Sequence, residues 1–120
     1  GYMVKVMAES EIQALIDGHF ARNDELKKVI AGKGVRENRR LIDLHFWAMN
    51  QGAAENLVIA LNEAGYPVTM KGKVDGCDSW SVESQIERSP LEVTDKFFVE
   101  SLVRLAAAHQ AEFDGWGTSI

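Results

Sequence analysis

Few side chains in this chain are of types that carry chemistry: Asp43, His45, His109 and Cys77 stand out. Asp43 and His45 are two residues apart, which on a strand places them on one face, where a carboxylate and an imidazole could share a metal or move a proton. Two potential ligands without a third make a weak metal site, so a structural or solvated histidine is the better reading. Cys77 is the single cysteine, which removes internal disulfides and multi-cysteine zinc sites and suits a reducing compartment. It reads as an incidental thiol beside a turn. The sequence holds no phosphate-cradling glycine loop, no nucleophile elbow and no HExxH. No catalytic residue, cofactor or metal is expected, and the remaining chemistry is that of recognition.

Recognition residues cluster late in the chain. Trp116 stands between Gly115 and Gly117, behind Glu112 and Asp114. Glycine permits backbone that other residues avoid, and tryptophan brings a large apolar face with one N–H that needs an acceptor. An exposed tryptophan beside carboxylates is a common binding anchor, whereas a covered one serves geometry. The net charge of −5 is uneven: the first 40 residues hold 8 basic and 6 acidic side chains, the remaining 80 hold 5 and 12. An acidic body disfavours direct nucleic-acid binding, which requires clustered cations, and suits a basic protein partner. The cluster Lys27, Lys28, Lys33, Arg36, Arg39 and Arg40 reads as a solvated helix end and linker.

At 120 residues the chain fits one domain, and no apolar run approaches the roughly 20 residues that span a bilayer. A cytoplasmic location is the expectation. Residues 1–8 read as a flexible start or a tag remnant, 9–34 as an N-terminal helical segment and 40–118 as the core.

The elements follow from periodicity. Ile12, Leu15, Ile16 and Phe20, then Leu26, Val29 and Ile30, recur at helical spacing on either side of the polar Arg22-Asn23-Asp24, giving one long helix or two shorter ones. Leu41 to Ala48 alternates as a strand. Asn50 can cap a helix with the stripe Ala54, Leu57, Val58, Leu61 and Ala64, stopped by Gly65. Tyr66 to about Lys71 is a second strand, joined through Asp75-Gly76 to a third in which Trp80, Val82, Ser84 and Ile86 alternate with polar residues. Ser89-Pro90-Leu91-Glu92 opens a helix with capping-box spacing, and Ala111 to about Thr118 closes the chain as a fourth strand.

After the first helix, the order strand, helix, strand, strand, helix, strand is that of a ferredoxin-like split βαβ α+β sandwich, with an antiparallel sheet ordered 4-1-3-2 and both later helices on one face. Simple alternation in the fourth strand would turn Glu112, Asp114 and Trp116 to the open face, beside Asp43, His45, Trp47, Ser81, Glu83 and Gln85. Two tryptophans there call for a cover. The N-terminal helix, a second copy of the domain or a partner could each supply it.

The residues also carry a family resemblance. Leu61-Asn62-Glu63-Ala64-Gly65-Tyr66-Pro67-Val68, the strand with Trp80-Ser81-Val82, and Leu102 to Ala107 leading into Glu112-Phe113-Asp114-Gly115-Trp116-Gly117 resemble the RraB family of regulators of ribonuclease E activity. The likeness runs from about Ile12 to Thr118, and its most specific part is the acidic residue, the aromatic and Asp-Gly-Trp. It resembles the short stand-alone form of the domain. The resemblance implies a ferredoxin-like domain in the cytoplasm, without catalysis, that binds the scaffold region of the endoribonuclease and modulates RNA turnover. An acidic surface could then occupy a basic segment of that scaffold, with Asp43, Trp47, Glu83, Glu87, Glu112, Asp114 and Trp116 as the interaction residues. Two other readings stand beside it: a ligand-binding or enzymatic pocket between the N-terminal helix and the sheet, lined by Trp47, Trp116 and His45, and a homodimer joined through the sheet faces.

Overall fold

The computed structural model describes residues 8–33 and 39–118. The first helix, α1 (Glu9–Lys33), is continuous through the polar Arg22-Asn23-Asp24. Four strands follow: β1 (Arg40–Ala48), β2 (Val68–Lys73), β3 (Trp80–Arg88) and β4 (Ala111–Gly117), with α2 (Gln51–Glu63), α3 (Pro90–Val93) and α4 (Lys96–Ala108) between them. The sheet is antiparallel in the order β2-β3-β1-β4, which read from the other edge is the expected 4-1-3-2.

Local sequence explains most of the boundaries. Asn50 accepts from the backbone N–H of Ala53 at 2.8 Å and starts α2. Gly76, at φ +82°, makes the turn between β2 and β3 with a conformation that suits glycine. Ser89 and Glu92 form the capping box anticipated from their spacing. The helix it opens, however, is only a four-residue turn. Thr94 Oγ1 donates to the Pro90 carbonyl, and Asp95 then caps a fresh helix through the N–H of Phe97. Side-chain competition for backbone groups thus splits one anticipated helix into α3 and α4.

The core lies between the sheet and the helices. Ile42, Leu44 and Phe46 from β1, Val82 and Ile86 from β3, and Phe113 from β4 meet Leu57 and Leu61 of α2 and Val99 and Leu102 of α4. Burying each such side chain stabilises the fold by about 1.5–3 kcal/mol before entropy is counted. Ser84 also points inward, and its hydroxyl donates to the Pro67 carbonyl at 2.8 Å.

The position of α1 decides which sheet face is covered. Ile16 is buried within the helix-side core, His19 stacks on Phe113 at 4.8 Å between ring centroids, and Lys96 of α4 stands over the Phe20 ring. The helix therefore joins α2 and α4 on one side and leaves the opposite face uncovered by any described element. Beyond Asn23 its described side chains, Leu26 among them, are exposed.

β4 does not keep simple alternation. Phe46 faces Phe113 and Ala48 faces Ala111, yet His45 faces Gly115 and Leu44 faces Trp116, so Asp114 is an extra residue in the ladder. Gly115 accommodates this bulge at φ +123°. The inserted residue exchanges the faces of all that follow. Trp116 lies with Leu44 on the helix side, while Gly115 and Gly117 share the open face with His45 and Asp43, which corrects the arrangement expected from alternation. A second irregularity lies in β2, between Val68 and Met70, on the outer strand that also carries Lys71 and Lys73.

Candidate functional site: the uncovered sheet face

Four positions of β1 set the centre of the open face. Leu41, Asp43, His45 and Trp47 stand opposite Glu87, Gln85, Glu83 and Ser81 of β3, while Trp47 also faces Glu112 of β4. Cross-strand neighbours this close satisfy one another. Gln85 Nε2 donates to Asp43 Oδ1 at 3.0 Å, and His45 Nδ1 meets Glu83 Oε1 at 2.9 Å. Glu87, at the end of the face, lies 3.9 Å from Arg39, whose guanidinium also reaches the Glu87 carbonyl and Glu92.

Glu112 differs from these carboxylates. It is exposed and has no hydrogen-bond or ion-pair partner among the described residues. Trp47 beside it is 40 % exposed. Past Trp47 the face runs into a cleft of about 240 Å³ between the ends of β1, α4 and β4, with Met49, Ser79, Ala107 and Ala111 in its walls. The open sheet thus offers a hydrogen-bonded polar ladder in its middle and an aromatic, apolar and acidic corner at one end.

The other candidate residues separate. Asp114 projects from the bulge as an exposed side chain, and its carbonyl lies 3.4 Å from Arg22 Nη1. Trp116 donates its indole N–H to Asn23 Oδ1 at 2.9 Å, on the far side of the sheet from Trp47 and His45. A pocket between α1 and the sheet lined by Trp47, Trp116 and His45 is therefore ruled out by the geometry. His109, at the end of α4, lines a second cleft with Asn50, Asn56 and Gln110, away from the Asp43 and His45 pairs. Among the described residues no three His, Cys, Asp or Glu side chains converge on a metal-sized site. Cys77 is exposed beside the β2–β3 turn. Of the basic cluster, Lys28 pairs with Glu25 and Arg39 with Glu87 and Glu92; Arg36 and the side chain of Lys33 lie outside the described residues.

Residues that sequence patterning left unassigned turn out to hold β4. The His19 ring contacts the Phe113 carbonyl through Nε2 at 2.8 Å and Arg22 Nη2 through Nδ1 at 2.8 Å. Arginine only donates, so Nδ1 must accept and Nε2–H donates to the carbonyl, which fixes a neutral tautomer. Burial pushes the His19 pKa down first, with the Arg22 charge adding to it, and these outweigh the pull of the Phe113 carbonyl and Asp114. The signal was present in sequence as His19, Arg22 and Asn23 at helical spacing, but three polar residues there look like an exposed face.

A ferredoxin-like α+β sandwich with its helices gathered on one side and one polar sheet face left bare is the class that this fold and site define. Within it, the chain belongs to the RraB family: that family's model, described as regulator of ribonuclease activity B, matches residues 22–118. The matched span contains all four strands and the Trp116–Asn23 contact. No curated protein matches the chain. Among the described residues no helix is long and apolar enough to cross a membrane.

Proposed function

We propose that the chain is a non-catalytic, cytoplasmic regulator of an E-type endoribonuclease, and that it acts by laying its uncovered sheet face on a basic segment of the enzyme's scaffold region. The observation that carries this reading is the bare face itself, where Asp43 and Glu83 share one side of the sheet with the exposed Trp47, and Glu112 stands directly opposite that tryptophan. Asp114 extends the negative potential at one margin, and Glu87 stands at the other with Arg39 beside it. Opposed charge speeds encounter and sets orientation, while the aromatic surface contributes the short-range part of the affinity. Trp116 takes a supporting part by holding β4 in place. The regulation follows from occupancy: a scaffold segment covered by this face is closed to RNA or to other partners, and RNA turnover changes.

Self-association through the same face is disfavoured, because two copies would bring like carboxylates together. The test is capture of the endoribonuclease scaffold by the purified chain, with Asp43→Lys, Glu83→Lys and Glu112→Lys as variants. Capture should weaken with each reversal and with added salt. Binding that is absent, or indifferent to both, would remove the reading.

A further inference from the structure

The three tryptophans of the chain meet different fates. Trp80 has Lys71 Nζ 5.8 Å from its ring centroid, so a cation of the protein itself already stands over it. Trp116 has its N–H engaged by Asn23. Trp47 has neither a cation over its ring nor an acceptor for its N–H among the described residues, and it is the most exposed of the three. The register pairs it directly with Glu112, the unpartnered carboxylate of the open face. An aromatic face and a free carboxylate held side by side lack the same thing, a cation that can touch both.

The cleft around this pair narrows the choice of cation. At about 240 Å³ it falls below the roughly 300–1,000 Å³ of small-molecule sites. It is the scale of a side chain. Met49, Ala107 and Ala111 offer an apolar wall along which a methylene stem can lie. A guanidinium is planar, stacks on an indole and at the same time presents two parallel N–H groups to a carboxylate, whereas an ammonium is a compact, strongly hydrated point charge that does not stack. We propose that the Trp47–Glu112 cleft is an arginine-binding site, which takes one arginine side chain of a partner protein with its guanidinium over Trp47 and against Glu112. This deepens the functional reading above and rests on it for the identity of the partner, but the site chemistry stands on these residues alone.

The probe is a five-residue capped peptide, Gly-Ser-Arg-Ser-Gly, with lysine and citrulline versions of its central residue, titrated against the isotope-labelled full chain. The indole N–H resonances of Trp47 and Trp116 report on opposite sides of the sheet in one spectrum. The arginine peptide should shift the Trp47 resonance saturably and leave that of Trp116 unmoved. The lysine peptide should bind at least about threefold more weakly and uncharged citrulline more weakly still. Glu112→Gln should weaken the arginine peptide by about fivefold or more and remove its advantage over lysine. Trp47→Leu removes the Trp47 reporter, so its titration is followed at the Glu112 backbone amide, where arginine binding should weaken to a similar degree while the unchanged Trp116 resonance shows an intact fold. Equal binding of arginine and lysine, or shifts at Asp43 and Glu83 with none at Trp47 or Glu112, overturns the arginine site while leaving a basic-segment surface intact. Conversely, a selective arginine shift at Trp47 with no capture of the endoribonuclease scaffold upholds the site and removes the proposed partner.

Discussion

Trp116 and Trp47 lie on neighbouring strands, yet one has become part of the frame and the other part of the surface. Trp116 is turned inward by a single inserted residue, packs with the helix-side core and spends its N–H on Asn23. Trp47 keeps the regular alternation of β1 and comes out on the bare side next to Glu112. The difference does not lie in residue type or in nearby charge, since both follow an acidic, aromatic stretch. It lies in backbone register, which sets the face on which an identical side chain does its work.

Breaking the bulge should have the largest effect. Gly115→Val places a branched side chain at φ +123°, and urea unfolding should show a loss of about 1–3 kcal/mol. Gly117→Ala sharpens the point, because a Cβ there meets only His45 Nε2 at 3.8 Å and stability should stay within about 0.5 kcal/mol. Next comes Trp116→Phe, which strands the Asn23 carbonyl. It should cost about 1–2 kcal/mol and leave arginine-peptide binding unchanged. Trp47→Ser should instead abolish binding, at a cost of about 1 kcal/mol of stability from lost cross-strand packing.

A smaller effect concerns acid. The folded pKa of His19 lies below the ordinary imidazole value of 6.5, so the unfolded chain takes up the proton more readily. The stability contributed by neutral His19 is complete above that value and is lost as pH falls through the lower folded pKa. Protonation would set an Nδ1–H against Arg22 and loosen α1 from β4. A denaturation series below pH 6.5 should therefore slope downward, and His19→Gln should flatten part of that slope. The smallest change is expected from Glu9→Gln, which removes the exposed contact to Arg104 at 2.8 Å. Its melting temperature should be indistinguishable from that of the parent chain.

Periodicity and capping residues made most of the fold legible. The sheet order, the Asn50 cap, the Ser89–Glu92 box and the turn at Gly76 all follow from residue types at fixed offsets. The break between α3 and α4 escaped because Thr94 and Asp95 act through side-chain competition that no apolar pattern records. The bulge escaped for a related reason: Asp-Gly-Trp-Gly is compatible with both registers, and long-range pairing with His45 and Leu44 chooses between them. The seat of α1 was hidden because its contacts to β4 use His19, Arg22 and Asn23. On the open face, Asp43, Trp47, Glu83 and Glu112 could be grouped from the strands alone, but the isolation of Glu112 only emerged once His45 and Gln85 were seen to engage its neighbours.

The outer strand β2 bears on how the molecule meets others. Its pairing with β3 shifts register between Val68 and Met70, and the strand carries Lys71, Gly72 and Lys73. Irregular pairing and two lysines make this border a poor template for an added strand. At this edge a visiting chain is thereby denied the backbone route of recognition, in which almost any extended peptide can be zipped on regardless of its side chains. The lysines of an inconspicuous border strand thus act as guards against indiscriminate company along that side of the sheet.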